Sequence, residues 1–185
     1  IHIIAPGGDE LITRLEQKYY VLPQTRRTYA TVSLVLVVPE SFVDAPSSFE
    51  ALAQDTRLRV AIADPRLTVV GQQTSELLKA LGIAEALKGR LDVATDARGV
   101  LDHLLNGQAD VGIIFGPDAY DKRERVRVVA VAPEQAIHSI IHSLAMERYC
   151  PDRPLCEEFL SFSQSPEARS VLKWLGYGVP SLGNQ

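Results

Sequence analysis

The chain has 185 residues, of which 46% are hydrophobic and 23% charged, and it carries a formal net charge of -4 at pH 7. That length allows one compact domain or two small lobes with a real core, and the composition is that of an ordinary globular protein. The acidic balance argues against a nucleic-acid surface, which needs a basic face, and the absence of a long apolar run argues against membrane insertion.

The first residues, IHIIAPGGDE, read as an apolar strand, without an initiator Met or a signal segment. The expectation is a removed leader or a start partway into a fold. The β-branched run TVSLVLVVP (31–39) predicts one buried strand stopped by Pro39. After the loop ESFVDAPSS, FEALAQD predicts a short helix capped by Ser47 or Ser48. Strand RVAIAD (59–64), helix QQTSELLKAL ending at Gly82 and a helical turn IAEALKG ending at Gly89 follow.

Strand RLDVA (90–94) leads to Thr95-Asp96 and then to a helix, ARGVLDHLLNG, whose Val100, Leu101, Leu104 and Leu105 make an apolar stripe. Asn106-Gly107 is a suitable stop. Strand ADVGIIF (109–115) comes next, and GPDAYDKRER reads as a polar loop. Strands alternating with helices over short connectors imply a parallel sheet covered by helices.

A second β-branched run, RVRVVAVAP (125–133), mirrors 31–39 on the far side of this block. The symmetry predicts a second lobe over 40–124, with 31–39 and 125–133 as two hinge strands. Residues 1–30 with 134–185 would form the first lobe. In the tail, IHSIIHSLAM reads as a strand and PLCEEFLSFSQ as a helix, and SPEA starts another helix with Ser165 as cap and Pro166 in its first position.

Signatures of enzymes are missing: there is no GxSxG, HExxH, P-loop or GxGxxG. His138 and His142 are four apart, but in a strand-like segment with no carboxylate partner implied, so no metal site is expected. Cys150 and Cys156, in YCPDRPLC, read either as a short-loop disulfide or as two free thiols, depending on the compartment.

Open α/β folds bind ligands beyond the carboxyl ends of their parallel strands. Three such ends are visible, at the turn reaching Val70-Gly71, at Thr95-Asp96-Ala97, and at Phe115-Gly116. Two helix N-termini and a small-residue loop offer N–H donors and positive dipole ends, which suit a small anion. The plainer alternative is that Gly71 and Asp96 only start helices. Spacing alone leaves both open.

ADPRLTVVGQQTSELLKALGIAEALKGRL, ATDARGVLDHLLNGQADVGIIFGPDA and VRVVAVAPE, in this order, resemble the molybdate-binding proteins of bacterial ABC importers, a type II periplasmic-binding-protein family. The tail SPEARSVLKWLGYG resembles that family's closing helix, and the opening IHIIAPGGDELITRLEQ its strand and helix before the hinge. The resemblance implies a two-lobed α/β fold, with parallel-sheet lobes joined by the two hinge strands, that holds a tetrahedral oxyanion, molybdate or tungstate, through neutral donors, with no cofactor. It also implies a periplasmic or cell-surface location and an importer membrane subunit as partner.

By position the family's contacts fall on the N–H groups of Val70, before Gly71, and of Ala97, and on Phe115. Three departures stand out. Phe115 occupies a place where the family usually has a tyrosine, and a lost hydroxyl donor to an oxyanion is worth about 1.5–3 kcal/mol. Thr68-Val69-Val70-Gly71 replaces the usual Val-Pro-Ala-Gly. The family's serine-bearing loops in the first lobe precede the part matched here, and Ser33, Ser47 and Ser48 do not stand in their places.

Two functions from different classes follow. The first is an oxyanion-binding component of an importer. The second is a ligand-sensing regulatory domain of the same fold, binding another small anion or an organic acid; in either class Gln72, Gln73 and Thr74 offer polar side chains for a ligand other than molybdate. A small α/β enzyme lacks a nucleophile, a base and a cofactor loop.

Overall fold

The computed structural model describes residues 1–120 and 122–180. They divide into two units, residues 33–139 and residues 1–32 with 140–180.

The larger unit is built on a mixed sheet. Its strands are β3 (Leu34–Pro39), β4 (Val60–Ala63), β5 (Leu91–Ala94), β6 (Val111–Phe115) and β7 (Val126–Val131), in the spatial order β5-β4-β6-β3-β7. β5, β4 and β6 are parallel, whereas β3 runs antiparallel to both β6 and β7. The sequences LVLVV and VAIA are buried at every position, the pattern of strands covered on both faces.

Helices α2 (Ala51–Gln54), α3 (Val69–Ala80), α4 (Ala84–Leu87), α5 (Ala97–Leu105) and α6 (Gly116–Tyr120) complete this unit. The stripe expected on α5 is found, with Val100, Leu101 and Leu104 buried. Gly112 makes its close approach possible: a Cβ there would lie 2.8 Å from Val100 and 2.9 Å from Leu104. Arg90 ties the bottom of the unit together, its guanidinium donating to the carbonyls of Leu52, Asp55, Leu58 and Ala86.

The smaller unit carries β1 (Ile3–Ile4), α1 (Asp9–Gln17), β2 (Arg27–Val32), β8 (Ile140–Met146), α7 (Arg153–Phe162) and α8 (Pro166–Trp174). Its sheet is antiparallel, in the order β1-β8-β2. Parallel strands were expected in each lobe. Here the chain leaves along β2 and returns along its neighbour β8, so the pair must run in opposite directions. Alternation along β8 sends Leu144 and Met146 into one small cluster with Leu160, and Ala145 into another with Ile12 and Val21.

Other local expectations are corrected too. The run 31–39 is two strands broken at Ser33, because the ladder partner changes there from β8 to β6 and β7. Gly116–Tyr120, expected as loop, is helical, since Pro117 suits a first turn and Ala119 is buried. The strand expected from Ile137 begins at Ile140.

Candidate anion-binding edge of the larger sheet

β4, β5 and β6 end at one edge of the larger sheet, and the antiparallel β3 begins there. Each of the three parallel strands is followed directly by a helix, so three chain reversals meet along this edge.

At the end of β4, Asp64 is buried and accepts from Arg66 through both the guanidinium, at 2.6 and 3.1 Å, and the backbone N–H, at 2.8 Å. The Arg66 side chain and backbone together hold the Asp64 carboxyl down at about 2. The turn delivers Thr68 as N-cap of α3; its Oγ1 donates to the Asp64 carbonyl at 3.0 Å and accepts from Gly71 N–H at 3.0 Å. Gln72 N–H reaches the Thr68 carbonyl. The N–H groups of Val69 and Val70 are then the two at this helix start that lie beyond both the cap and the helical ladder.

Gly71 has a different task. A Cβ on it would stand 2.4 Å from the Ala63 carbonyl oxygen and 2.6 Å from the Asp64 carbonyl carbon. Only glycine lets the first turn of α3 seat directly on the end of β4. Thr74 is buried and donates to the Val70 carbonyl at 2.7 Å, so its hydroxyl serves the helix, while Gln72 is exposed.

β5 ends in the same way. Asp96 caps α5, accepting from Gly99 N–H at 2.9 Å, and Val100 N–H bonds the Asp96 carbonyl. Ala97 and Arg98 are left with N–H groups beyond the cap. Arg98, exposed in the second helical position, also sets a full positive charge at this start. An expectation of neutral donors alone misses it, although its place two residues after a capping Asp is visible in the sequence.

At the end of β6, Phe115 pairs with Leu34 and its ring is partly buried against the core. Gly116 N–H donates to the Ser33 carbonyl at 3.1 Å. Ser33 therefore stands beside Phe115 and Gly116, its hydroxyl 2.7 Å from that of Ser139, which donates in turn to Glu134 at 2.9 Å. Sequence distance hides this neighbourhood, because strand pairing across the sheet creates it.

Val70, Gly71, Ala97 and Phe115 thus fall on one edge of one sheet, at three successive strand ends. The histidines are not brought together: His138 is exposed in the larger unit, beside Glu134, while His142 lies in β8 of the smaller one, edge-on to Tyr29 and Tyr177. Among the described residues no three His, Cys, Asp or Glu side chains form a metal-holding group, and no helix is long and apolar enough to cross a membrane.

The model of the bacterial extracellular solute-binding protein family matches residues 2–178. The chain belongs to this family. The molybdate-binding protein ModA of Escherichia coli is 28% identical over 159 residues, covering 84% of this chain and 61% of that protein. ModA of Haemophilus influenzae is 26% identical, over 95% of this chain and 69% of its own length. The chain therefore spans about 60–70% of these curated relatives.

Among solved structures, a substrate-binding domain from Clostridium difficile superposes with a TM-score of 0.89 at 20% identity, covering 97% of this chain and 77% of that one. At that identity the likeness speaks for fold alone, and the fold is the type II periplasmic-binding-protein fold that the sequence resemblance implied.

Proposed function

We propose that this solute-binding protein captures a tetrahedral oxyanion of the molybdate or tungstate type and delivers it to the membrane subunit of an ABC importer, on the outer side of the cytoplasmic membrane. The observation that carries the proposal is the pair of capped helix starts on adjacent parallel strands. Thr68 and Asp96 each satisfy the third N–H of their helix and leave the first two, at Val69-Val70 and Ala97-Arg98, turned to the same sheet edge. Helix N-termini of this kind favour anions through N–H donors and the dipole. Binding, with no chemical conversion, is all this arrangement performs.

Arg66 does not change the balance, because Asp64 neutralises it at close range. Arg98 adds attraction for any anion, and Phe115 adds none. The relatives named for molybdate supply the ligand class.

A thermal-shift titration with molybdate, tungstate, sulfate and phosphate at matched ionic strength tests the proposal. A ligand at 100 times its Kd adds about 2.7 kcal/mol of stability, so molybdate and tungstate are expected to raise the Tm while sulfate does not. The Phe115→Tyr variant, which restores a hydroxyl donor, is expected to bind about tenfold tighter or better. No shift with any of the four anions would sink the oxyanion reading.

A further inference from the structure

Apart from this edge, the molecule holds a buried pair of cysteines that the proposed transport role does not use. Cys150 lies just beyond the end of β8 and Cys156 in the first turns of α7. Both are buried, and their Sγ atoms stand 2.7 Å apart as free thiols. That is far closer than two sulfurs sit when merely packed together, and contraction to about 2.05 Å completes a bond.

The backbone on either side is already fixed. Cys150 N–H donates to the Glu147 carbonyl, and Cys156 N–H to the Asp152 carbonyl. Asp152 caps α7 by accepting from Leu155 N–H at 3.1 Å, and Pro151 and Pro154 stiffen the connection. The two thiols face each other because the loop and the cap hold them there.

Their surroundings say what a bond would do. Cys150 and Cys156 belong to a cluster whose other buried members are Leu144, Met146 and Leu160. The second cluster of this unit has Ile12, Val21 and Ala145. Cores of this size supply little stability, and small units with such cores commonly rely on a covalent staple.

We infer that Cys150 and Cys156 are a redox-convertible pair that closes to an intrachain disulfide in an oxidising compartment and staples β8 to α7. The Cys150 thiolate attacks the disulfide of a small oxidised thiol such as glutathione disulfide, or of a protein disulfide donor, and expels one thiolate. Cys156, on losing its proton, attacks the Cys150 sulfur of the mixed disulfide and expels the second. Two electrons pass to the oxidant, and the two thiol protons pass to solvent or to the departing thiolates. Burial, and then the neighbouring Cys150, push the Cys156 thiol up to about 11. Closure from the folded dithiol is accordingly slow, and closure during folding, while the loop is still open, is fast.

The test uses the full chain, purified reduced and refolded in glutathione disulfide, then acid-quenched, alkylated with N-ethylmaleimide and weighed by intact mass spectrometry. The expected product takes up no label and is lighter than the dithiol by two hydrogens. Dithiothreitol is expected to lower its Tm by about 5–10 °C. A Cys150→Ala/Cys156→Ala double variant keeps a Tm that dithiothreitol does not move. Two labels on the wild-type chain after oxidative refolding, or a Tm indifferent to dithiothreitol in a chain shown to be bonded, would overturn the inference.

Discussion

The larger unit closes one continuous apolar core between its five strands and the faces of α3 and α5, from Leu34 and Leu36 through Val60 and Ile62 to Leu104 and Ile113. In the smaller unit the same alternation along β8 splits the buried side chains between two separate clusters. Much of its remaining apolar surface faces out: Leu155, Phe159 and Phe162 on α7, and Val171 and Trp174 on α8, are each about half exposed or more. Polar contacts fill part of the difference. Arg26 pairs with Asp9 and with Glu16, the latter at 2.9 Å, and Thr28 bonds the buried Ser143 at 3.1 Å. The unit that carries the candidate site supports itself by one continuous core, while the other divides its burial between two small clusters and, once oxidised, adds its cysteines. Rigid packing beneath a binding edge keeps its donors in place.

The largest effect should come from separating the two. Residues 33–139 expressed alone are expected to melt cooperatively with native far-UV circular dichroism, because their core is continuous. A non-cooperative melt would break the comparison. Next come paired truncations. Leu104→Ala is expected to cost about 2–5 kcal/mol in denaturant unfolding. Leu160→Ala should cost clearly less, since a small cluster next to solvent can collapse around the gap. Equal costs would mean that the two cores are equivalent.

The smallest effect is electrostatic and confined to the smaller unit. Burial pushes the Asp9 carboxyl up, but hydrogen bonds from Arg26 and Ser143, together with the Arg26 charge, outweigh it and leave the group below its usual range. With a lowered folded value, the unfolded chain binds the proton first, so this stability is present above about pH 4 and fades as pH falls further. In Asp9→Asn the acid-side decline should be shallower and the neutral-pH stability lower by on the order of 1 kcal/mol or less. A superposable pH profile for Asp9→Asn would show that the pair contributes nothing.

Much of the larger unit is legible in the amino-acid sequence. β4, β5 and β6 are β-branched or small-residue runs, α5 shows its stripe, and Asp96 is a recognisable helix start, because each feature depends on residues within a few positions. The start of α3 is read less well: the helix begins at Val69, three residues ahead of the QQTSELLKAL read from the sequence, because Thr68 caps it. Other parts are not legible. The break at Ser33 follows from which strand pairs with which, and TVSLVLVVP reads identically whether one sheet or two receive it. The antiparallel small sheet depends on β2 meeting β8, more than a hundred residues away in sequence.

At the site, sequence set the residue types and their order: a helix start after each of two parallel strands, and a Phe where a hydroxyl donor was expected. Tertiary structure decided what each group has left to offer. Gly71 gives its N–H to Thr68 and its missing side chain to the end of β4; Thr74 turns inward; Arg66 is spent on Asp64; and Ser33 arrives beside Phe115 by strand pairing. The reason is physical. Helix and strand periodicity are local properties of the chain, whereas the partner of a hydrogen bond, and the space left for a side chain, are fixed only when distant segments pack.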